Sequence, residues 1–299
     1  MGGPTASGKT GLSIQLAQHF NTDILSADSR QFYQEMNVGT AKPGLEELAQ
    51  AKHHFIDNLS IHDTYTVGDY EREAIFLLKK LFTKKDVVIM VGGSGFFIKA
   101  VCEGLDKFPD VPAHIRDELN QIFDNQGITS LQNELKASDP DYYAQVDVQN
   151  PKRLMRALEV CRATGQPFSH FHNQPKIARF FTPIYIGLDW EREVLYQRIN
   201  QRVDMMLEAG LEEEARELHP LRHLTALQTV GYQEWFDYFD KKIDKTEAIR
   251  LIKRNSRRYA KRQMTWFRKI ADMKWSKPND FKAISDYIDA FISPSSESK

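Results

Sequence analysis

Eight consecutive residues near the start of the chain have the types and spacing needed to bind a phosphate group. The segment Gly3-Pro4-Thr5-Ala6-Ser7-Gly8-Lys9-Thr10 matches the pattern G-x-x-x-x-G-K-[ST] in full. In this pattern the glycines let backbone N–H groups point inward, the lysine adds a positive charge, and the Thr10 hydroxyl can ligate Mg²⁺. A helix predicted from Gly11 to Phe20 would add its positive N-terminal end to the site. The alternative is a glycine-rich turn with a solvated lysine, but the complete pattern favours a site for a diphosphate or triphosphate.

The elements around this phosphate loop should form an open parallel sheet. Only Met1 and Gly2 precede the loop, whereas such a loop normally follows a buried strand. We therefore expect a weak attachment of the loop to the sheet, with lost backbone partners for the neighbouring strands.

Two further strands each end in a polar or glycine-rich segment. Asp23–Ser26 is followed by a polar loop over 27–33, and Asp86–Val91 is followed at once by Gly92-Gly93-Ser94-Gly95. Ligands of open α/β sheets bind at the carboxyl ends of the strands, so both segments should line the cleft that holds the phosphate loop. The glycines could instead only turn the chain sharply.

Composition limits the class of protein. The chain has 299 residues, a hydrophobic share of 41% and a net charge of −1, so its overall charge does not indicate a nucleic-acid partner. Cys102 and Cys161 lie in apolar surroundings typical of buried thiols in a reducing compartment. His53 and His54 are adjacent and point apart, which argues against a metal site. No apolar run is long enough to span a membrane and no signal peptide is recognised, so we expect a cytoplasmic protein.

Cations concentrate on three predicted helices. Lys152, Arg153 and Arg156 follow the helix-starting pair Asn150-Pro151, where they could meet an external anion or form a solvated face. Arg198 and Arg202 are one turn apart and form either a two-pronged cationic face or an ion-paired surface.

The third basic helix is predicted over 245–270 and has no acidic residue between Ala248 and Ala271. This concentration of charge in a neutral protein favours a nucleic-acid partner. Tyr259, Trp266 and Phe267 could stack on bases, although Tyr259 and Trp266 also fall on the predicted apolar stripe and are expected in the core. That stripe comprises Ile249, Ile252, Ser256, Tyr259, Gln263, Trp266 and Ile270.

Seven sequence blocks, in order over nearly the whole chain, resemble the tRNA dimethylallyltransferase family. They are the phosphate loop, Asp28–Tyr33, Gly39–Pro43, Gly92–Ser94, Lys152–Glu159, Val230–Tyr232 and Lys261–Arg268. The resemblance implies an α/β fold with a P-loop-kinase-like parallel sheet flanked by helices. It also implies an inserted helical domain that clasps the anticodon stem-loop of tRNA. We place the catalytic core at 1–106 and 183–299 and the insertion at 107–182.

The implied reaction transfers a dimethylallyl group from dimethylallyl diphosphate to N6 of the adenine immediately 3′ of the anticodon. The catalytic residues would be Asp28 as general base, with Lys9 and Thr10 stabilising the diphosphate leaving group, Thr10 through Mg²⁺. Residues 3–10 would bind the diphosphate. A channel enclosed within one chain needs no partner subunit, so a monomer is expected.

By the same resemblance a larger set of residues would contact tRNA. These are Asp28, Ser29, Arg30, Gln31, Ser94, Arg116, Lys152, Arg153, Leu154, Met155, Arg156, Arg258, Lys261, Arg262 and Gln263.

One position departs from the family, and three other functions share some of the motifs. Many members carry an arginine two residues before the Val-Gly-Tyr block, where this chain has Gln228. Either another cation, Arg198 or Arg202, compensates for it, or diphosphate binding is weaker. An adenylate dimethylallyltransferase would need no RNA clasp, and a small-molecule kinase would release ADP. A nucleotide-gated RNA-binding protein would not depend on Asp28 for its role.

Overall fold

The computed structural model describes residues 1–172, 174 and 178–292. The chain divides into two compact units, Met1–Cys102 with Phe180–Lys299, and Glu103–Arg179. The smaller unit begins and ends a few residues before the boundaries predicted for the insertion. Residues 173, 175–177 and 293–299, which fall within the predicted domains, lie outside the described residues.

The described residues contain five short strands, which form two parallel sheets. They are β1 (Ile24–Ser26), β2 (His53–His54), β3 (Ile89–Val91), β4 (Ile186–Leu188) and β5 (Lys274–Ser276). The strand order is β2-β1-β3 in one sheet and β4-β5 in the other, and all pairs are parallel, with Ile24 opposite both His53 and Ile89. The predicted α/β fold class with a parallel sheet is therefore confirmed.

Met1 and Gly2 join the two sheets. Gly2 forms parallel bridges with both Gly92 and Gly187, and its N–H donates to the carbonyl of Ile186 at 2.8 Å. The amino group of Met1 donates to the carbonyl of Met90 at 2.6 Å. These two residues thus supply backbone partners on both sides, so the phosphate loop is anchored between β3 and β4.

Helices surround the strands. In chain order they are α1 (Lys9–His19), α2 (Leu45–Gln50), α3 (Val67–Leu81), α4 (Gly95–Glu103), α5 (Ala113–Gln126), α6 (Ile128–Ser138), α7 (Pro140–Tyr143), α8 (Pro151–Thr164), α9 (Arg192–Glu208), α10 (Leu211–Leu218), α11 (Gln233–Phe239), α12 (Lys245–Phe267) and α13 (Phe281–Ile292). No helix in the described ranges is long and apolar enough to cross a membrane.

Both faces of the sheet are buried, as expected for parallel strands. Alternate residues of β1 point to opposite faces. Ile24 packs into a cluster with Leu12 and Leu16 of α1, whereas Leu25 packs into a second cluster with Tyr70 of α3. Because β1 and β3 are parallel, their carboxyl ends lie at the same edge of the sheet, and packing on both faces holds them there.

The apolar side of α12 differs from the prediction in its second half. The buried residues are Ala248, Ile252, Ala260, Gln263 and Phe267. Ile252 and Gln263 are buried as predicted, whereas Ala260 and Phe267 are buried in place of their neighbours Tyr259 and Trp266. Phe267 is fully buried in the core cluster on the Leu25 face of the sheet. Trp266 is 38% exposed, so the expectation that it belongs to the core is wrong.

The described residues of the smaller unit form helices and loops without a strand, and they have their own core. Helices α5, α6 and α8 pack around Leu119, Leu131, Leu135 and Leu158, all fully buried. The Asn150 side chain accepts from the N–H of Arg153 and Pro151 occupies the first turn of α8, which confirms the predicted helix start.

Candidate active site

A cavity of about 700 Å³ lies in the larger unit, where the phosphate loop faces the carboxyl ends of β1 and β3. Its lining includes Thr5–Thr10, Asp28–Gln31 and the glycines Gly92 and Gly93. The two polar segments that follow β1 and β3 therefore share one cleft with the phosphate loop, as their positions after parallel strands predicted.

The phosphate loop has the backbone of an anion site. Gly8 has φ +87°, a left-handed conformation that favours glycine, and it leads directly into α1. No side chain caps the first turn of α1, so its N–H groups remain available to a ligand. Within the loop before α1, the N–H of Thr5 already has a partner, because it donates to the Gln263 side-chain oxygen at 2.9 Å.

Lys9 lies over its own loop. Its ammonium group donates to the carbonyl of Pro4 at 2.6 Å and lies 3.4 Å from the Ser7 hydroxyl oxygen. Burial, together with the nearby charge of Arg202, lowers the pKa of Lys9 to about 7, although Asp28 opposes the shift. An anion in the cavity would favour the charged form of this lysine.

Asp28 faces the cavity from the end of β1. One carboxylate oxygen, Oδ1, accepts from the N–H of Arg30 at 3.0 Å, which shapes the loop. The other oxygen makes no hydrogen bond within the described part of the chain and is free to accept a proton. Burial and then the charge of Asp28 raise the pKa of Tyr259 to about 12. Tyr259 itself lines the cavity and is not a core residue, contrary to the sequence-based expectation.

Ser29, Gln31 and Ser94, three of the predicted tRNA contacts, are held by one another and by backbone groups. The Ser94 hydroxyl oxygen accepts from the N–H of Ser29 at 3.1 Å and lies 3.2 Å from its hydroxyl. The Gln31 side-chain amide donates to the carbonyls of Thr40 and Ala41, and its oxygen accepts from Ser26. The orientation of the Gln31 amide is therefore fixed before any ligand binds.

The two cavity glycines permit close packing. A Cβ at Gly92 would lie 2.2 Å from the carbonyl oxygen of Ala27, and one at Gly93 would lie 2.2 Å from the Gln263 amide nitrogen. Gln263 is 5% exposed and also donates to the carbonyl of Gly93 at 3.0 Å. Both ends of its amide are occupied, so Gln263 is a brace between Thr5 and Gly93 rather than a free RNA contact.

Arg198 and Arg202 of α9 point into the cavity. Arg198 donates to the carbonyl of Ala6 at 2.9 Å and its guanidinium lies 4.6 Å from the Trp190 ring centroid. Burial lowers the pKa of Arg202, and Asp28 opposes this. Of the two predicted alternatives, a two-pronged cationic face is the one found.

Comparisons with known proteins identify the family of this chain. The model of the IPP transferase family matches residues 31–270. A tRNA dimethylallyltransferase of Christiangramia forsetii is 56% identical over 291 residues, covering 97% of this chain and 96% of the relative. The chain belongs to the tRNA dimethylallyltransferase family. A second relative with that name, from Flavobacterium johnsoniae, is 52% identical over 91% of this chain and 90% of its own length.

Solved structures of the family share the fold. The tRNA isopentenylpyrophosphate transferase of Bacillus halodurans superposes with a TM-score of 0.72 at 35% identity, over 98% of this chain and 95% of its own. A eukaryotic dimethylallyltransferase acting on tRNA gives a TM-score of 0.83 at 26% identity, over 98% of this chain and 78% of its own.

In this family member the cations of α12 fall into two groups. Arg250 pairs with Glu247, Lys253 with Asp204, and Arg257 donates to Asn200. The exposed group comprises Arg258, Lys261, Arg262, Arg268 and Lys269. No ion pair of this second group is found within the described residues, so these side chains are available to phosphates.

The predicted RNA contacts of the smaller unit also divide into two kinds. Arg116 and Arg156 both pair with Glu159, which is 1% exposed. Lys152 and Arg153 are exposed at the start of α8. Leu154 is fully buried and its neighbour Met155 packs against the same core, so Leu154 cannot contact RNA through its side chain.

No sequence pattern indicated a role for Glu214. Its carboxylate accepts from the N–H groups of Asn37, Val38 and Gly39 at 2.8–2.9 Å and from the Tyr232 hydroxyl at 2.6 Å. A helical glutamate carries no local signal for partners that lie 175 residues or more earlier.

Gln228 lines the cavity, but its amide is engaged by the protein. Its nitrogen donates to the carbonyl of Arg222, and its oxygen accepts from Gln233 at 2.7 Å.

Proposed function

We propose that this chain transfers a dimethylallyl group from dimethylallyl diphosphate to N6 of the adenine immediately 3′ of the anticodon in tRNA. One observation carries the proposal: the phosphate loop and Asp28 open into the same cavity, in a chain of this family. The donor and the nucleophile can therefore meet there. The adenine would leave the loop stack to enter the cavity.

The residues present suit loss of diphosphate. The C–O bond between the allyl carbon and the diphosphate breaks, and the charge on the departing oxygens is stabilised by backbone N–H groups, Lys9, Arg198 and Arg202. A bond forms between the allyl carbon and N6, and the amine proton passes to Asp28, whose free oxygen faces the cavity. The products are N6-isopentenyladenosine in tRNA and diphosphate.

Thr10 would hold Mg²⁺. Its hydroxyl makes no hydrogen bond to other described residues and it lines the cavity beside Lys9, so this donor fits a hard cation. Bound there, Mg²⁺ would neutralise charge on the diphosphate oxygens.

We propose tRNA as the substrate partner, with exposed cations of α12 and of the α8 start binding its phosphates. Every cavity residue comes from the larger unit of a single chain, which supports a monomer as the active form.

The test is incorporation of label. Purified protein is incubated with Mg²⁺, radiolabelled dimethylallyl diphosphate and unmodified tRNA, and the digested tRNA is analysed for label on adenine N6. Asp28→Asn should abolish incorporation while tRNA binding persists, and Asp272→Asn, at an exposed aspartate outside the cavity, should not change it. In parallel incubations that contain AMP or ATP, label on AMP in place of tRNA would identify the free-nucleotide enzyme, and ADP release from ATP would identify a kinase. An unaffected Asp28→Asn enzyme would overturn the role of Asp28.

A further inference from the structure

Phe96 and Trp266 form an exposed aromatic pair that the proposed chemistry does not use. Phe96 is 48% exposed in the first turn of α4, and Trp266 is 38% exposed in the last turn of α12. Their ring centroids are 6.2 Å apart with an interplanar angle of 73°. A Cβ at Gly95 would lie 2.1 Å from the Trp266 ring, so the glycine allows the indole to pack on the α4 backbone. The indole is thus held in place while part of it faces solvent.

The pair lies next to the cavity wall. Gln263, one turn before Trp266, is hydrogen-bonded to the carbonyl of Gly93, and Ser94 contacts Ser29. Both Gly93 and Ser29 line the cavity, whereas Phe96 and Trp266 do not. A nucleotide adjacent to one bound in the cavity could therefore reach the aromatic pair.

The charge around Trp266 suits a polyanion. Arg258, Arg262, Trp266 and Lys269 follow one another at spacings of four, four and three residues, which places them on one face of α12 and its extension, and all four are exposed. A cationic stripe with an exposed aromatic side chain is the usual arrangement for single-stranded nucleic acid, in which phosphates meet cations and bases stack on rings. Phe76 is more exposed, at 74%, but lies on α3 outside the cavity lining.

We propose that Trp266, supported by Phe96, is a stacking platform for an unpaired tRNA base next to the adenine that enters the cavity. This inference rests on the proposed tRNA substrate. The indole face contacts the base, while Arg258, Arg262 and Lys269 contact the flanking phosphates.

The first test measures the affinity of the full chain for a synthetic anticodon stem-loop RNA without prenyl donor. Loss of one base–aromatic stack should make Trp266→Ala bind about 5- to 100-fold more weakly. Trp266→Tyr should bind within about threefold of the unaltered chain, since a ring remains. Phe76→Ala is the matched control and should not change the affinity. Trp266→Ala should keep the salt dependence of binding, whereas Arg262→Ala should reduce its slope by about one.

The second test locates the base. Abasic nucleotides are placed one at a time on either side of the target adenine, and each RNA is measured with both proteins. At one position the abasic site should weaken binding to the unaltered chain but not to Trp266→Ala. The proposal would be overturned if, at every position, the abasic site weakened binding to Trp266→Ala as much as it weakened binding to the unaltered chain. It would also be overturned if Trp266→Ala bound the intact RNA with unchanged affinity. Because these measurements need no prenyl transfer, they test the stacking role of Trp266 separately from the proposed reaction. A protein that transfers no prenyl group but loses the abasic-site effect on replacement of Trp266 would refute the reaction and not the stacking role.

Discussion

The Glu214 carboxylate accepts a hydrogen bond from the Tyr232 hydroxyl at 2.6 Å and also holds three consecutive backbone N–H groups at Asn37–Gly39. The ring of Tyr232 occupies the space where a side chain at residue 39 would begin, since a Cβ there would lie 2.5 Å from it. The segment that continues from Gly39 supplies the carbonyls that orient Gln31. Glu214 therefore positions a cavity wall without lining the cavity.

Glu214→Gln should impair catalysis because it loosens the Asn37–Gly39 backbone that leads into this cavity wall. The glutamine side chain replaces one carboxylate oxygen by an NH₂ group, which cannot accept a hydrogen bond from the backbone N–H groups of Asn37–Gly39 or from the Tyr232 hydroxyl. A hydrogen bond to a charged group such as the Glu214 carboxylate contributes about 1.5–3 kcal/mol. We expect a raised KM for tRNA or a lowered kcat, with little change in affinity for inorganic pyrophosphate. Steady-state kinetics and calorimetry measure these quantities. Glu213→Gln, at the exposed neighbouring residue, is the control, and equal kinetics of the two variants would contradict the role of Glu214.

Pyrophosphate binding should depend on the protonation of Lys9. Its pKa is lowered to about 7, so above pH 7 the free protein holds mostly the neutral amine. An anion favours the ammonium form, so binding raises this pKa and takes up a proton. We expect the affinity for pyrophosphate to fall as the pH is raised from about 7 to 9. The proton taken up on binding is measurable by calorimetry in buffers of different ionisation enthalpy. Lys9→Arg keeps its charge and reports the titration of pyrophosphate alone, so the same proton uptake in both proteins would refute the prediction.

Gly2→Ala should destabilise the larger unit. The new methyl group would lie 2.3 Å from the ring of Phe267, which is fully buried, and overpacking of this kind costs about 1–3 kcal/mol. Thermal unfolding should show a lower Tm. Gly11→Ala is the matched control because nothing lies within 4 Å of its Cβ position and alanine is preferred to glycine in a helix by about 1 kcal/mol. A Tm for Gly2→Ala at or above that of the unaltered chain would contradict the close packing.

Arg116 and Lys152 should separate into different roles. Arg116→Ala removes hydrogen bonds to the buried Glu159 and should lower the stability of the helical unit by about 2 kcal/mol, seen as faster hydrogen exchange in α5 and α8. Lys152→Ala should leave exchange unchanged but weaken RNA binding and reduce its salt slope by about one. If Arg116→Ala exchanged like the unaltered chain, its pairing with Glu159 would be dispensable for folding.

Local patterns predicted the centre of the site but not its supports. The phosphate loop was found because it matches a complete short motif, and the segments after β1 and β3 because each follows a parallel strand. The role of Asp28 was implied by the family resemblance. Trp266 and Phe267 are adjacent apolar residues, and helical spacing alone could not decide which one is buried; the packing of Phe267 into the core of the sheet decides it. Glu214 and Gln263 act on segments far away in the chain, where no spacing rule applies.

The Gln263 amide, which joins the N–H of Thr5 to the carbonyl of Gly93, spans two walls of the cavity. One end of this span belongs to the phosphate loop and the other to the segment beside Ser94. The side-chain length of residue 263 therefore sets the separation of the two walls, and a shorter side chain there would leave both the Thr5 N–H and the Gly93 carbonyl without this partner.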